Sequence, residues 1–199
     1  LRIRAEVERA CREHLDGLGF TAVDAPIFNS AAAEGTATLF PVEYFEDKVY
    51  LSRTGQLHMG AAAQALGRVY CFGPTFRAEK SKTRRHLTEF WMVEPEVAFN
   101  DSNDNMRLQE EFVSYLVARA LDRCKEQLRE LERDTTTLER VSAPFPRISY
   151  TDAVARLNQL GSDMTWGNDL GGDDETLLAQ QYDRPVFVFN YPKEVKAFY

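Results

Sequence analysis

The sequence predicts an α+β domain with a mainly antiparallel sheet flanked by helices. Three observations lead there. Strand-like and helical segments do not alternate as βαβ units. No GxGxxG or phosphate-binding GxxxxGK loop is present. Two strand-like segments, Arg68-Val69-Tyr70-Cys71-Phe72 and Phe90-Trp91-Met92-Val93-Glu94, frame a short basic stretch and read as an antiparallel hairpin.

The elements follow in order. Ile3, Val7, Ala10, Cys11, Leu15 and Leu18 recur at helical spacing, so an amphipathic helix is expected to end at Gly17 or Gly19. Its apolar stripe alone favours packing on its own domain. Phe20 to Val23 reads as a short strand stopped by Pro26. A turn near Phe45 feeds a strand ending at Leu51. Gln56 to Leu66 is Ala-rich helix material closed by Gly67. After the hairpin, Asp101-Ser102-Asn103-Asp104 offers N-cap residues to a long helix reaching about Leu131. Met106, Phe112, Leu116, Ala120, Leu121, Cys124 and Leu128 would form its buried stripe. Pro144 and Pro146 mark an irregular connection. Thr151 is expected to cap a short helix to about Leu160, and the acidic, Gly-rich stretch from Gly161 to Glu175 reads as a surface loop. Pro185-Val186-Phe187-Val188-Phe189 is apolar throughout and is expected to be central in its sheet.

Composition bounds the function. The 199 residues suffice for one domain, with 44% hydrophobic and 28% charged residues. A net charge of −7 excludes a globally basic nucleic-acid binder, so any such contact needs a local patch. Cys11, Cys71 and Cys124 are odd in number and far apart, which points to reduced structural thiols and a cytoplasmic setting. The cysteines make no CxxC pair or zinc pattern and no metal-ligand spacing links the three histidines, so neither suggests a metal site within this chain. No apolar run is long enough for a bilayer, and no membrane partner is expected. Leu1 opens directly on a helical pattern and Tyr199 falls within strand-like sequence. Both ends therefore read as cut, and the chain as a fragment.

The chemistry concentrates in the hairpin. Its first strand runs into Phe76-Arg77-Ala78-Glu79, its tip is Lys80-Ser81-Lys82-Thr83-Arg84-Arg85, and its return is His86-Leu87-Thr88-Glu89-Phe90. Arg77 can fork onto phosphate or carboxylate oxygens. Glu79 accepts hydrogen bonds only and suits an exocyclic amine. Phe90 offers a flat face to a ring. The plainer readings are an Arg77–Glu79 surface ion pair, a core phenylalanine and a solvated charged loop.

This segment resembles motif 2 of the class II aminoacyl-tRNA synthetases, in the asparaginyl form of the aspartyl/asparaginyl subgroup. Gly19-Phe20 through Val23 and Pro26 resembles motif 1, Ala33-Glu34-Gly35-Thr36 the loop that closes over the amino acid, and Thr54-Gly55-Gln56-Leu57 the amino-acid pocket. Tyr191-Pro192-Lys193 to Ala197-Phe198-Tyr199 resembles the strand before the metal-binding region. On this resemblance the chain is one partial catalytic domain, with motif 1 at about 1–26 and motif 2 at about 68–98. An anticodon-binding barrel would precede Leu1. Motif 3 and the acidic Mg²⁺ ligands would follow Tyr199.

The resemblance implies roles. Arg77 would be the catalytic residue, bridging the α-phosphate of ATP and the amino-acid carboxylate. Glu79 would hold the adenine amine, Phe90 would stack on adenine, and Arg85, His86 and Leu87 would line the ATP site. Glu34, Gln56, His58 and Met59 would form the amino-acid pocket with Arg77. Lys80, Lys82 and Arg84 would reach the acceptor end of tRNA, through contacts blind to base sequence. The first helix and strand would make a homodimer. Aspartyl relatives carry a lysine where Met59 stands, and a site without that cation suits a neutral amide. The implied reaction is activation of L-asparagine by ATP, with Mg²⁺, and transfer to tRNA(Asn). An aspartyl enzyme charging one or both tRNAs, a synthetase-like asparagine synthetase and an inactive binding paralogue stay open at this point.

Overall fold

The computed structural model describes residues 1–30, 39–79 and 86–196. The chain divides into two compact units, one formed by Cys11–Asn100 and the other by Leu1–Ala10 with Asp101–Tyr199. Helix α1 (Arg2–Gly17) contributes to both.

Residues 11–100 carry two three-stranded sheets. In one, β1 (Thr21–Ala22) runs parallel to β5 (Arg68–Phe76), which pairs antiparallel with β6 (Glu89–Val97). In the other, β2 (Phe28–Asn29), β4 (Asp47–Leu51) and β3 (Pro41–Tyr44) are antiparallel, in the order β2-β4-β3. The mainly antiparallel sheet therefore matches the expectation, although β3 was not anticipated. Its hairpin with β4 turns at Phe45, whose φ of 53° is unusual for a residue with a bulky side chain. The β5–β6 hairpin is longer than its strand-like composition suggested, paired from Arg68↔Val97 to Phe76↔Glu89.

Helix α2 (Gln56–Leu66) ends as expected at Gly67, whose φ of 78° suits only glycine and whose N–H donates to Ala63 O at 2.8 Å. Its Met59 and Ala63 pack with Val69 and Cys71 of β5 into the core of this unit. The end of α1 is fixed to β5 by polar contacts. Tyr70 donates its hydroxyl proton to Asp16 at 2.9 Å, Arg68 donates to Leu18 O at 3.1 Å, and Arg12 lies 4.5 Å from the centroid of the Phe72 ring.

In the other unit, Asp101 caps α3 (Ser102–Arg123) by accepting from Asn103 N at 2.8 Å and Asp104 N at 2.9 Å. The long helix does not run unbroken to Leu131. Cys124 leaves helical dihedrals, with φ −115° and ψ 23°, and α4 (Lys125–Glu130) begins after it. Of the expected stripe, Met106, Cys124 and Leu128 are buried, while Phe112, Leu116, Ala120 and Leu121 are half-buried. Glu110 is buried as well. Its carboxylate accepts from Phe145 N at 3.1 Å and pairs with Arg147 at 3.4 Å, which anchors the proline-rich connection.

Three further expectations are corrected. Ser149, not Thr151, caps α5 (Tyr150–Gln159), accepting from Asp152 N at 3.1 Å. The stretch read as a loop holds the start of α6 (Gly172–Ala179), because Asp173, Asp174 and Glu175 fall in a first turn where acids complement the exposed N–H groups. The apolar segment near Phe187 forms β8 (Phe187–Phe189), which among the described residues pairs only with β7 (Arg147–Ser149), parallel and half-buried. Its apolar faces are used against the cluster of Tyr150, Ala153, Val154, Leu157, Met164 and Leu178, on which Val188 packs.

No helix among the described residues is long and apolar enough to cross a membrane. Leu157 is fully buried in the α5–α6 cluster. Leu157→Ala should cost about 2–5 kcal/mol in denaturant unfolding. Leu131→Ala, at an exposed position, should stay within about 0.5 kcal/mol.

Candidate functional site

The site grows from the base of the β5–β6 hairpin. Side chains alternate between the two faces of a strand. The pairs Cys71↔Glu94, Gly73↔Met92 and Thr75↔Phe90 therefore share one face, and Phe72↔Val93 and Pro74↔Trp91 the other. Side-chain contacts agree with this division. The Phe72 and Trp91 rings meet edge to face at 5.8 Å, and Cys71 Sγ donates to Glu94 at 3.4 Å.

Just past the last pair, Arg77 N donates to Thr88 O at 2.9 Å. The half-buried Arg77 side chain lies over Phe90, with its guanidinium carbon 5.4 Å from the ring centroid. Its Nε is buried and has no hydrogen-bond partner among the described residues. Such a donor costs free energy until something accepts from it, which suits an anionic ligand. Glu79 does not pair with Arg77. Its carboxylate faces Arg53 at 3.8 Å. Phe90 is half-buried beneath the Arg77 cation, so it is not an enclosed core ring.

A loop from Ser52 to Gly55 meets this base. Ser52 N donates to Ile27 O at 2.8 Å, and Phe76 N donates to Ser52 O at 2.8 Å. Glu94 holds the other end of the loop. It accepts from the Thr54 hydroxyl, from Gly55 N at 2.9 Å and from Cys71 Sγ at 3.4 Å. Gly55 is required for space, because a Cβ there would lie 2.4 Å from Cys71 Sγ and 3.2 Å from Ala25 Cβ. A proline would lack the N–H that Glu94 takes. Thr54 Oγ1 in turn accepts from Gln56 N at 3.0 Å, which sets the first turn of α2. Burial pushes the Cys71 thiol from 9.0 up to about 12, and the neighbouring Glu94 charge adds to the rise.

The structure thus brings Arg77, Glu79 and Phe90 together at one end of the hairpin. Gln56 stands half-buried at the start of α2. His58 bonds Asn29 Oδ1 through Nε2 at 3.0 Å, which ties α2 to β2. Met59 is fully buried in the apolar cluster and offers no open surface to a ligand. His86 and Leu87 are exposed. Glu34, Lys80, Lys82, Arg84 and Arg85 lie outside the described residues. No group of three or more histidine, cysteine or acidic side chains among the described residues could hold a metal. A cleft of about 220 Å³ runs along β5, lined in part by Asp24, Ile27, Thr75, Trp91 and Glu94, and neither Arg77 nor Gln56 lines it. Arg53 and Glu94 were not singled out from the sequence. Glu94 had a signal, since it lies four residues from Phe90 and so on its face.

The chain belongs to the family of class II tRNA synthetases (D, K and N), whose model matches residues 1–199. Among its relatives are the asparagine--tRNA ligases of Chloroflexus aurantiacus, 59% identical over 100% of this chain and 47% of that protein, and Herpetosiphon aurantiacus, 54% identical over 100% and 48%. The chain spans about half the length of the curated relatives it matches. The crystal structure of Pyrococcus horikoshii asparaginyl-tRNA synthetase complexed with asparaginyl-adenylate superposes with a TM-score of 0.96 at 46% identity, covering 100% of this chain and 46% of that one.

Two outcomes are expected for this loop. Gly55→Ala should destabilise the fold by about 1–3 kcal/mol, and Cys71→Ala should recover part of that loss by removing the sulfur. The raised Cys71 pKa means that the folded thiol stays neutral where the unfolded one ionises. Its contribution is intact below pH 9 and is lost as pH rises towards about 12. Cys71→Ala should therefore flatten the alkaline limb of stability against pH.

Proposed function

We propose that the whole protein activates L-asparagine with ATP and transfers the asparaginyl group to tRNA(Asn). The amino-acid carboxylate attacks the α-phosphorus, the bond to the β-phosphate oxygen breaks, and pyrophosphate leaves. A hydroxyl of the tRNA 3′-terminal ribose then attacks the acyl carbon, and AMP departs. Such chemistry asks for position and charge neutralisation more than for a covalent nucleophile.

The observation that carries this reading is Arg77, a guanidinium at the hairpin base with a buried Nε that nothing among the described residues accepts from. It is assigned to the α-phosphate and the substrate carboxylate, where a single donor is worth about 3 kcal/mol. Glu79 is assigned to the adenine amine. Phe90 gives adenine the ring surface that Arg77 leaves uncovered. Arg85, His86 and Leu87 are assigned to the outer phosphates, and Glu34, Gln56 and His58 to the amino acid. Met59 serves by exclusion, keeping a buried position apolar where a cation would favour a carboxylate substrate. Lys80, Lys82 and Arg84 are assigned to the tRNA acceptor end. ATP would act with Mg²⁺, which would neutralise phosphate charge. The names of the relatives support asparagine over aspartate. A cytoplasmic homodimer, joined through α1 and β1, completes the proposal.

Pyrophosphate exchange into ATP tests it. The whole protein should exchange with asparagine and not with aspartate. Arg77→Ala should lower the rate by about a hundredfold or more. Equal exchange with aspartate, or an unaffected Arg77→Ala enzyme, would overturn the assignment.

A further inference from the structure

We infer that Arg53 is a positioning residue for nucleotide recognition: it draws the Glu79 carboxylate away from Arg77, so that Glu79 faces the base and Arg77 faces phosphate. The inference rests on the nucleotide reading of the hairpin given above. Arg77 and Glu79 are two residues apart, just past the last residue of β5, near enough in sequence for their side chains to meet. Left to themselves, a guanidinium and a carboxylate so placed pair with each other. That pairing would silence both, since the arginine fork and the acceptor oxygens would be used internally. In the structure Glu79 instead faces Arg53 at 3.8 Å, and the buried Arg77 Nε stays open.

Arg53 is built for this role. Its side chain is only 14% exposed, against 32% for Glu79, so its charge is held where partners matter. Its backbone is fixed on both sides. Ser52 is bonded to Ile27 and Phe76, and Thr54 to Glu94. Among the described residues the Glu79 carboxylate meets Arg53 and not Arg77. The acid therefore takes its direction from the arginine opposite. A carboxylate has about four acceptor positions, so one contact to Arg53 leaves others for an exocyclic amine.

The test is nucleotide binding by equilibrium dialysis on the whole protein. It compares ATP with purine riboside 5′-triphosphate, which lacks the amine. Arg53→Gln should weaken ATP about tenfold and bring its preference over the purine analogue down to that of Glu79→Gln. The double variant should bind no more weakly than Glu79→Gln alone, because removing the acid also removes its ability to occupy Arg77. Arg53→Lys, which keeps the charge and loses the fork, should fall between wild type and Arg53→Gln, and provides the measurement if the glutamine variant unfolds. An unchanged ATP preference in Arg53→Gln overturns the inference. So does a double variant that loses a further tenfold beyond Glu79→Gln, which would make Arg53 a ligand contact. A wild-type protein that binds neither nucleotide overturns the hairpin reading itself, and this inference with it.

Discussion

One carboxylate organises the site. Glu94 sits in the middle of β6 and takes hydrogen bonds from the Thr54 hydroxyl, the Gly55 N–H and the Cys71 thiol. A half-buried acid satisfied this way is worth more than an exposed pair, because leaving any partner unmet exposes it to a full desolvation cost. Through it the loop before α2 is tied to the hairpin, and the start of α2 inherits its position from β6. The fit admits no side chain at position 55, which explains a glycine whose φ is ordinary.

Arg53 belongs to the short loop whose far end Glu94 holds. Ser52 secures it to β5, Arg53 turns to the acid at the hairpin base, and Thr54 and Gly55 turn to Glu94. The nucleotide side and the amino-acid side of the proposed site are thus joined by one short segment, with Thr54 and Gly55 between Arg53 and Gln56. Sites held this closely by rigid elements keep their geometry without help from long flexible side chains.

Much of this was legible in the sequence, and the residues that were not share a physical cause. The hairpin could be read because its chemistry is local, with a basic tip between β-prone segments and an arginine and an acid at the base. Gly67 could be read because a helix end marks itself with a residue that tolerates positive φ. The face of Glu94 could be read from its parity with Phe90, but its role could not, since its partners Thr54 and Gly55 lie 40 and 39 residues away. Arg53 escaped for the same reason. The break at Cys124 was hidden by good helix formers on either side, and the residue at the break is buried. The acids at 173–175 resembled a loop because acids in a helix's first turn and acids in solvent look alike on paper. The run at 187–189 is apolar enough for an inner strand, yet half-buried packing against α5 uses the same residues.

The locked register of β5 and β6 has an evolutionary corollary. Phe90, Met92 and Glu94 occupy one side of their strand by parity alone. An insertion or deletion of one residue before Phe90 that slid β6 along β5 would turn all three outward in a single event. Ring and acid would leave together, and no partial loss would be available for selection to repair. The strand can therefore drift in composition more easily than in length.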